Sequence, residues 1–183
     1  MSLIDLFQKQ GYYCFKYRGQ FPVLLFLLVV PFIFFTDYSF LSEELVRFCI
    51  FLSIFFALFG LLIRFYTIAT TPKGTSGRNR GIQIANTLNT KGIYSIVRNP
   101  LYLGNYLIWF GVSISTFNIY FILIMSIIFF LFYERIIFVE EKFLIDKFGD
   151  EYLSWSFNTP VIIPSFSRFI KSNVPFSFIS ILR

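Results

Sequence analysis

Two places in the chain hold the residues best able to do chemistry. In the first, between Gly92 and Gly111, Arg98, Asn99, Pro100, Tyr102, Asn105 and Trp109 interrupt an otherwise apolar run. The second is the adjacent pair Glu140 and Glu141. Together they offer a guanidinium, amides, a phenol and two carboxylates, a set suited to binding and aligning a polar or charged ligand. Proline fits the first helical position, where its missing N–H has no partner to lose. The spacing therefore predicts a membrane helix starting at Pro100, with Asn99 at its N-cap and Arg98 at the lipid–water boundary. On that helix Arg98, Tyr102, Asn105 and Trp109 fall at i, i+4, i+7 and i+11, on one face. A polar side chain inside a lipid-embedded helix needs a partner, either a neighbouring helix or a ligand. An interfacial anchor with one interhelical Asn bond would explain that face equally well. The charged run from Glu134 to Glu151 also reads as the solvated face of a projecting helix, and charge pattern by itself favours that.

The elements that must position these residues belong to a membrane protein. Of 183 residues, 56% are hydrophobic and 28 are Phe, more apolar surface than one soluble domain can hide. Residues 1–20 are polar and the first apolar run lacks a small-residue cleavage site, so no signal peptide is expected. Cys14 and Cys49 suggest neither a disulfide framework nor a metal site. The sequence has no His, which removes an imidazole base and any His-ligated metal or haem. A net charge of +6 on so greasy a chain suits anionic headgroups rather than nucleic acid.

Residues 1–20 read as a short amphipathic start, residues 21–35 as the first apolar run, with Pro31 inside it as the kink point, and residues 48–63 as the second, closed by Arg64, with Glu43 and Glu44 in the loop between. Both runs fall below the ~20 residues of an ideal span. Residues 65–97 form a polar, basic connector. Residues 101–132 are one apolar stretch too long for a single span, and Ser113–Asn118 is where it can turn into a hairpin. The last helix should continue past Phe132 to a stop at Gly149, projecting beyond the bilayer. Residues 150–164 read as a short amphipathic helix and an exit loop, and residues 174–182 as an interfacial segment. Gly104 and Gly111, one heptad apart, would let another helix approach closely. All of the 16 Lys and Arg except Arg47 fall on one side of four spans, which predicts an all-α, four-span protein with both termini cytoplasmic. The Arg98–Tyr102 turn and Glu140–Glu141 would then meet at the cytoplasmic face, in a pocket open to water and to lipid.

Two motifs resemble a known family. Gly92-Ile93-Tyr94…Arg98-Asn99-Pro100-Leu101-Tyr102-Leu103-Gly104 is similar to the Gly-x-Tyr…Arg-His-Pro-x-Tyr-x-Gly signature of the membrane methyltransferases, the isoprenylcysteine carboxyl and phospholipid methyltransferases. Glu140-Glu141-Lys142-Phe143-Leu144…Phe148-Gly149-Asp150-Glu151-Tyr152 resembles their second signature, and Pro160 and Pro164 their exit segment. The resemblance covers residues 79–164 of what reads as a single domain, 1–183. It implies S-adenosylmethionine as cofactor, held without a Rossmann fold. Carried over, the cofactor-lining positions are Asn86, Thr87, Leu88, Asn89, Tyr94, Asn99, Pro100, Leu101, Tyr102, Glu140 and Glu141. Glu140, Arg98 and Arg135 are the catalytic candidates, and Arg78 and Arg80 the substrate-binding ones. The position of the family's substrate-side arginine is Ile136 here, with Arg135 adjacent.

The departure is Asn99, where the family has His. An amide donates and accepts hydrogen bonds but cannot act as a base near neutral pH. That points to an acceptor that is already anionic, a lipid phosphate or carboxylate, with catalysis by alignment and electrostatics. The piece Thr75-Ser76-Gly77-Arg78-Asn79 with Thr87-Leu88-Asn89-Thr90 resembles the bacterial branch of lipid A 1-phosphate methyltransferases, which implies an inner-membrane location. Two readings compete. A sterol-reductase-type enzyme using NADPH shares an Arg-x-Pro-x-Tyr-x-Gly segment, but usually has Glu where this chain has Asn105. A non-enzymatic scaffold would explain the hydrophobicity but not two separate motifs.

Overall fold

The computed structural model describes residues 2–39, 41–72 and 83–181. Among them the chain forms seven α-helices and no strand: α1 (Leu3–Tyr17), α2 (Phe21–Phe35), α3 (Glu43–Thr70), α4 (Pro100–Ile114), α5 (Ile119–Phe148), α6 (Asp150–Asn158) and α7 (Phe178–Ile181). The expected all-α class holds. α3 and α5 are each long and apolar enough to cross a membrane. α1 and α2 meet at 84° and pass the same test only if counted as one bent span. At 15 residues each, α2 and α4 fall short of a full crossing by length. The structure thus carries two or three candidate spans where the hydropathy pattern predicted four.

Local signals account for most boundaries. Ser2 closes a capping box on α1 with Asp5. Glu43 and Glu44, expected in a loop, are instead the first turn of α3: Ser42 accepts a hydrogen bond from the Leu45 N–H, and acidic side chains favour a helix N-terminus. Pro100 is the first residue of α4. The apolar stretch breaks after Ile114, and Asn118 caps α5 by accepting from the Phe121 N–H at 3.1 Å. α5 runs to Phe148 and ends at Gly149, whose φ of 52° lies in the left-handed region.

One face of α5 makes the main core. Phe121, Met125, Phe129, Tyr133 and Ile137, four residues apart, pack against Phe15, Phe21, Leu25 and Val29 of α1 and α2. The outward faces are apolar too: Phe34 is 79% exposed, Leu62 63% and Leu131 55%. Such a surface is tolerable only where the solvent is itself apolar.

The tightest helix pair is α3 with α4, and glycine makes it so. A Cβ on Gly111 would sit 2.6 Å from the Ser53 carbonyl oxygen and 2.8 Å from the Ala57 nitrogen. A Cβ on Gly60 would sit 2.5 Å from the Gly104 carbonyl oxygen. Gly104 and Gly111 therefore do what their spacing predicted, and Gly60 supplies the facing surface.

Candidate functional site

Chain segments far apart in sequence converge on the start of α4. The backbone from Gly92 to Ser95 makes a 3-10 turn that opens at Gly92 with φ 63°, a conformation glycine tolerates. The segment after α6 returns along this turn and laces onto it. The Arg98 N–H donates to the Pro160 carbonyl at 2.9 Å, the Ser165 N–H to Ile96 at 2.9 Å, and the Gly92 N–H to Ile170 at 2.7 Å. Trp155 adds its indole N–H to the Tyr94 carbonyl at 3.1 Å.

Asn99 occupies the N-cap position of α4 but makes no side-chain cap; its Nδ2 donates to the Val161 carbonyl at 3.1 Å. The expected N-cap is thus correct in place and different in bonding. The amide fastens the returning segment to the helix start, a role that needs only a donor.

Two contacts join the first motif to the second. The Tyr102 hydroxyl donates to Glu140 Oε2 at 2.8 Å. Arg98 Nη1 lies 2.7 Å from Glu141 Oε1, with both side chains largely buried. Helix geometry makes the pairing possible: α4 and α5 form a hairpin, so residues near the start of α4 face residues near the end of α5. Tyr152 of α6, 2% exposed, brings its hydroxyl to the Arg98–Glu141 pair. Burial, then the Glu141 charge, pushes its phenol up to about 12, so it stays protonated at neutral pH. Tyr94, with its hydroxyl on Thr71, is likewise pushed up to about 12, chiefly by burial.

Below this pair lies a polar set of which the sequence alone pointed only to Asn105. Asn105 Nδ2 donates to the Tyr133 hydroxyl at 3.1 Å, and Arg64 Nη1 donates to Asn105 Oδ1. The Tyr133 and Tyr102 rings stand 4.6 Å apart between centroids. The partner demanded for Asn105 is thus a neighbouring helix on both sides. Arg64 closes an apolar run and so reads in sequence as a boundary residue, which is why its inward turn was missed. Arg18, at the C-cap of α1, also acts electrostatically on Glu140, Tyr102 and Tyr133.

The remaining sequence candidates are placed as follows. Pro100 is buried and Leu101 half-buried at the helix start. Asn86 and Thr87 are exposed while Leu88 and Asn89 are half-buried, in irregular backbone leading to the 3-10 turn. Arg135 turns toward α1: its Nε donates to Gln10 at 3.0 Å, it pairs with Glu134 at 2.7 Å, and it stacks on the Phe7 ring. Ile136 beside it is fully buried in the core. Arg78 and Arg80 lie outside the described residues.

The site fits a small zwitterion. Arg98 Nε is buried and has no hydrogen-bond partner among the described residues, and Glu141 Oε1 is buried with the Arg98 guanidinium as its ion-pair partner. A buried donor left without a partner is costly unless something else bonds to it. An α-amino-acid moiety carries the complementary carboxylate and ammonium. No group of three or more potential metal ligands is present among the described residues.

Over 84 residues the chain is 33% identical to the cobalt-zinc-cadmium resistance protein CzcN of Cupriavidus metallidurans, a stretch covering 46% of this chain and 38% of that one. The chain thus spans well under half the length of that relative. No solved structure matches it. The family model described as phospholipid methyltransferase matches residues 48–151, more than half of the chain and both helices of the α4–α5 hairpin. With its apolar outer faces and its paired motifs, this chain belongs to the phospholipid methyltransferase family.

Proposed function

We propose that the protein is an S-adenosylmethionine-dependent enzyme of the membrane, methylating an anionic oxygen on a lipid-borne acceptor. The observation that carries this reading is the pair of contacts between Tyr102 and Glu140 and between Arg98 and Glu141, which brings both motifs side by side. When bound, S-adenosylmethionine supplies an electrophilic methyl group on a sulfonium. Arg98 would hold the carboxylate of its amino-acid end, and Glu141 and Glu140 its ammonium. Glu140, fixed by the Tyr102 phenol, also sets a negative charge against the sulfonium. Asn86, Thr87, Leu88 and Asn89 would line the nucleoside side, with Tyr94, Asn99, Pro100 and Leu101 forming the floor. Arg135, Arg78 and Arg80 remain proposals for the acceptor side.

The absence of any His in the chain supports an acceptor that needs no deprotonation. A phosphate or carboxylate oxygen is already anionic, so the protein has only to align it. Lipid A 1-phosphate is one acceptor of this class. For topology we favour four crossings by α2, α3, α4 and α5 with both termini cytoplasmic, in a bacterial inner membrane with the pocket on the cytoplasmic side. Local bilayer thinning would accommodate the two short helices, and the basic residues support the orientation.

Purified protein given radiolabelled S-adenosylmethionine and a bacterial lipid extract should label phosphate- or carboxylate-bearing lipids, detected by mass spectrometry and phosphorus NMR. Label found on an amine headgroup would overturn the anionic-oxygen reading. Stabilisation by NADPH instead of by S-adenosylmethionine would favour the reductase.

A further inference from the structure

We infer that Arg64 forms an anion subsite that takes the charged headgroup of the lipid substrate, beside the Tyr102–Glu140 pair. The inference rests on the methyltransferase reading for its biological sense, but its geometry stands apart from the cofactor residues.

Arg64 lies within α3, in a helix apolar enough to cross a membrane. An intramembrane arginine is expensive, and such residues ordinarily pair with a carboxylate or mark a ligand pathway. Arg64 is in no ion pair among the described residues, where the pairs are Arg47–Glu43, Arg98–Glu141 and Arg135–Glu134. Its side-chain partner is the neutral amide oxygen of Asn105. An amide orients a guanidinium without cancelling its charge. Most of the fork of N–H donors is left for another acceptor, and phosphate and carboxylate match that fork in shape.

The surroundings hold the group in place. Gly104 has no side chain, and a Cβ there would sit 2.7 Å from Arg64 Cγ. The arginine stem therefore lies flat across α4, which carries its head to Asn105. Asn105 is held in turn by the Tyr133 hydroxyl, and the Tyr133 ring stacks near Tyr102, which holds Glu140. The chain of contacts fixes the cation relative to the carboxylate that faces the cofactor pocket. Arg64 is half-buried, so it remains reachable, and Leu62 and Phe65 beside it are exposed apolar groups suited to acyl chains. Two other described arginines are committed elsewhere: Arg98 to Glu141 and Arg135 to Glu134 and α1. The ligand is thus a phosphate or carboxylate anion, and the exposed apolar flank favours one carried on a lipid.

The test is titration calorimetry in detergent with S-adenosylhomocysteine at saturation. Dioctanoyl phosphatidic acid should bind at least tenfold more tightly than dioctanoylglycerol, the scale of a charge-assisted hydrogen bond. Arg64→Gln should erase that preference and Arg64→Lys keep part of it, with S-adenosylhomocysteine affinity unchanged in both. Should Arg64→Gln fail to fold, Asn105→Asp serves: it keeps Arg64 but supplies a carboxylate partner, and should likewise erase the preference. Equal binding of the two lipids by the native chain, or a preference that survives in a folded Arg64→Gln or Asn105→Asp, would overturn the inference. Inorganic phosphate is the remaining arm. Binding as tight as that of phosphatidic acid would assign the subsite to a soluble anion and overturn the headgroup. Failure of S-adenosylhomocysteine to bind, with the phosphatidic acid preference intact, would instead sink the methyltransferase reading and leave the subsite standing.

Discussion

Glu140→Gln should lower kcat/KM for S-adenosylmethionine by about a hundredfold or more while leaving the fold intact. Glutamine keeps the shape of the side chain, and its amide oxygen can still accept the Tyr102 hydroxyl that now reaches Oε2 at 2.8 Å. What disappears is the negative charge. A hydrogen bond to a charged group contributes roughly 1.5–3 kcal/mol, and about 1.4 kcal/mol is a tenfold change in affinity. Loss of the ammonium contact and of the charge opposite the sulfonium together account for the expected effect. Stability should move little or rise, because a carboxylate in this setting pays a desolvation penalty that an amide does not. Activity and thermal stability therefore part company in this variant. Tyr102→Phe should act in the same direction more mildly: the charge stays and its hydrogen bond goes, so activity falls by a smaller factor. If Glu140→Gln turned over at the native rate, the pocket would lie elsewhere.

Much of this arrangement could be read from the chain because it rests on local rules. Pro100 starts a helix since its ring forbids an earlier turn; Gly149 ends one since its φ of 52° suits few other residues. The hairpin follows from a length that one span cannot use. Once α4 and α5 are antiparallel, the start of α4 lies along the second half of α5, where the Tyr102 side chain reaches Glu140. What the sequence hid depends on packing between distant helices. Arg135 is adjacent to the position where the family has its arginine, but one residue is 100° on a helix, and that rotation carries it to Gln10 and Phe7 of α1. α1 can lie so close because Gly11 presents no side chain to Val139, which a Cβ would meet at 2.5 Å. Arg64 closes a hydropathy window and so looked like a boundary. Only the gap over Gly104 shows that it folds inward. The hold of residues 160–170 on the 3-10 turn and the start of α4 is made largely by backbone groups, which carry no residue-type signal, with the Ser95 hydroxyl and the Asn99 amide adding to it.

Gly60→Ala should be a strongly damaging conservative change, destabilising the chain by about 3 kcal/mol, the upper end for overpacking a tight interface. The added methyl would stand 2.5 Å from the Gly104 carbonyl oxygen and 2.9 Å from the Ile108 nitrogen. Both are backbone atoms, so no rotamer change relieves the clash; α3 and α4 must move apart. The midpoint of thermal unfolding should fall by on the order of 10 °C for a chain of this size. Gly149→Ala provides the contrast. A Cβ there meets nothing within 4 Å, so its penalty comes only from a left-handed backbone, about 1–2 kcal/mol. The two glycines are thus required for different reasons, one for space and one for φ. Separation of α3 from α4 also has a functional consequence, because Arg64 sits one turn beyond Gly60 and its stem crosses Gly104. Gly60→Ala protein that survives purification should therefore bind S-adenosylhomocysteine better than it discriminates phosphatidic acid from diacylglycerol. Native stability in Gly60→Ala would mean that the close contact between these helices does not hold the fold together.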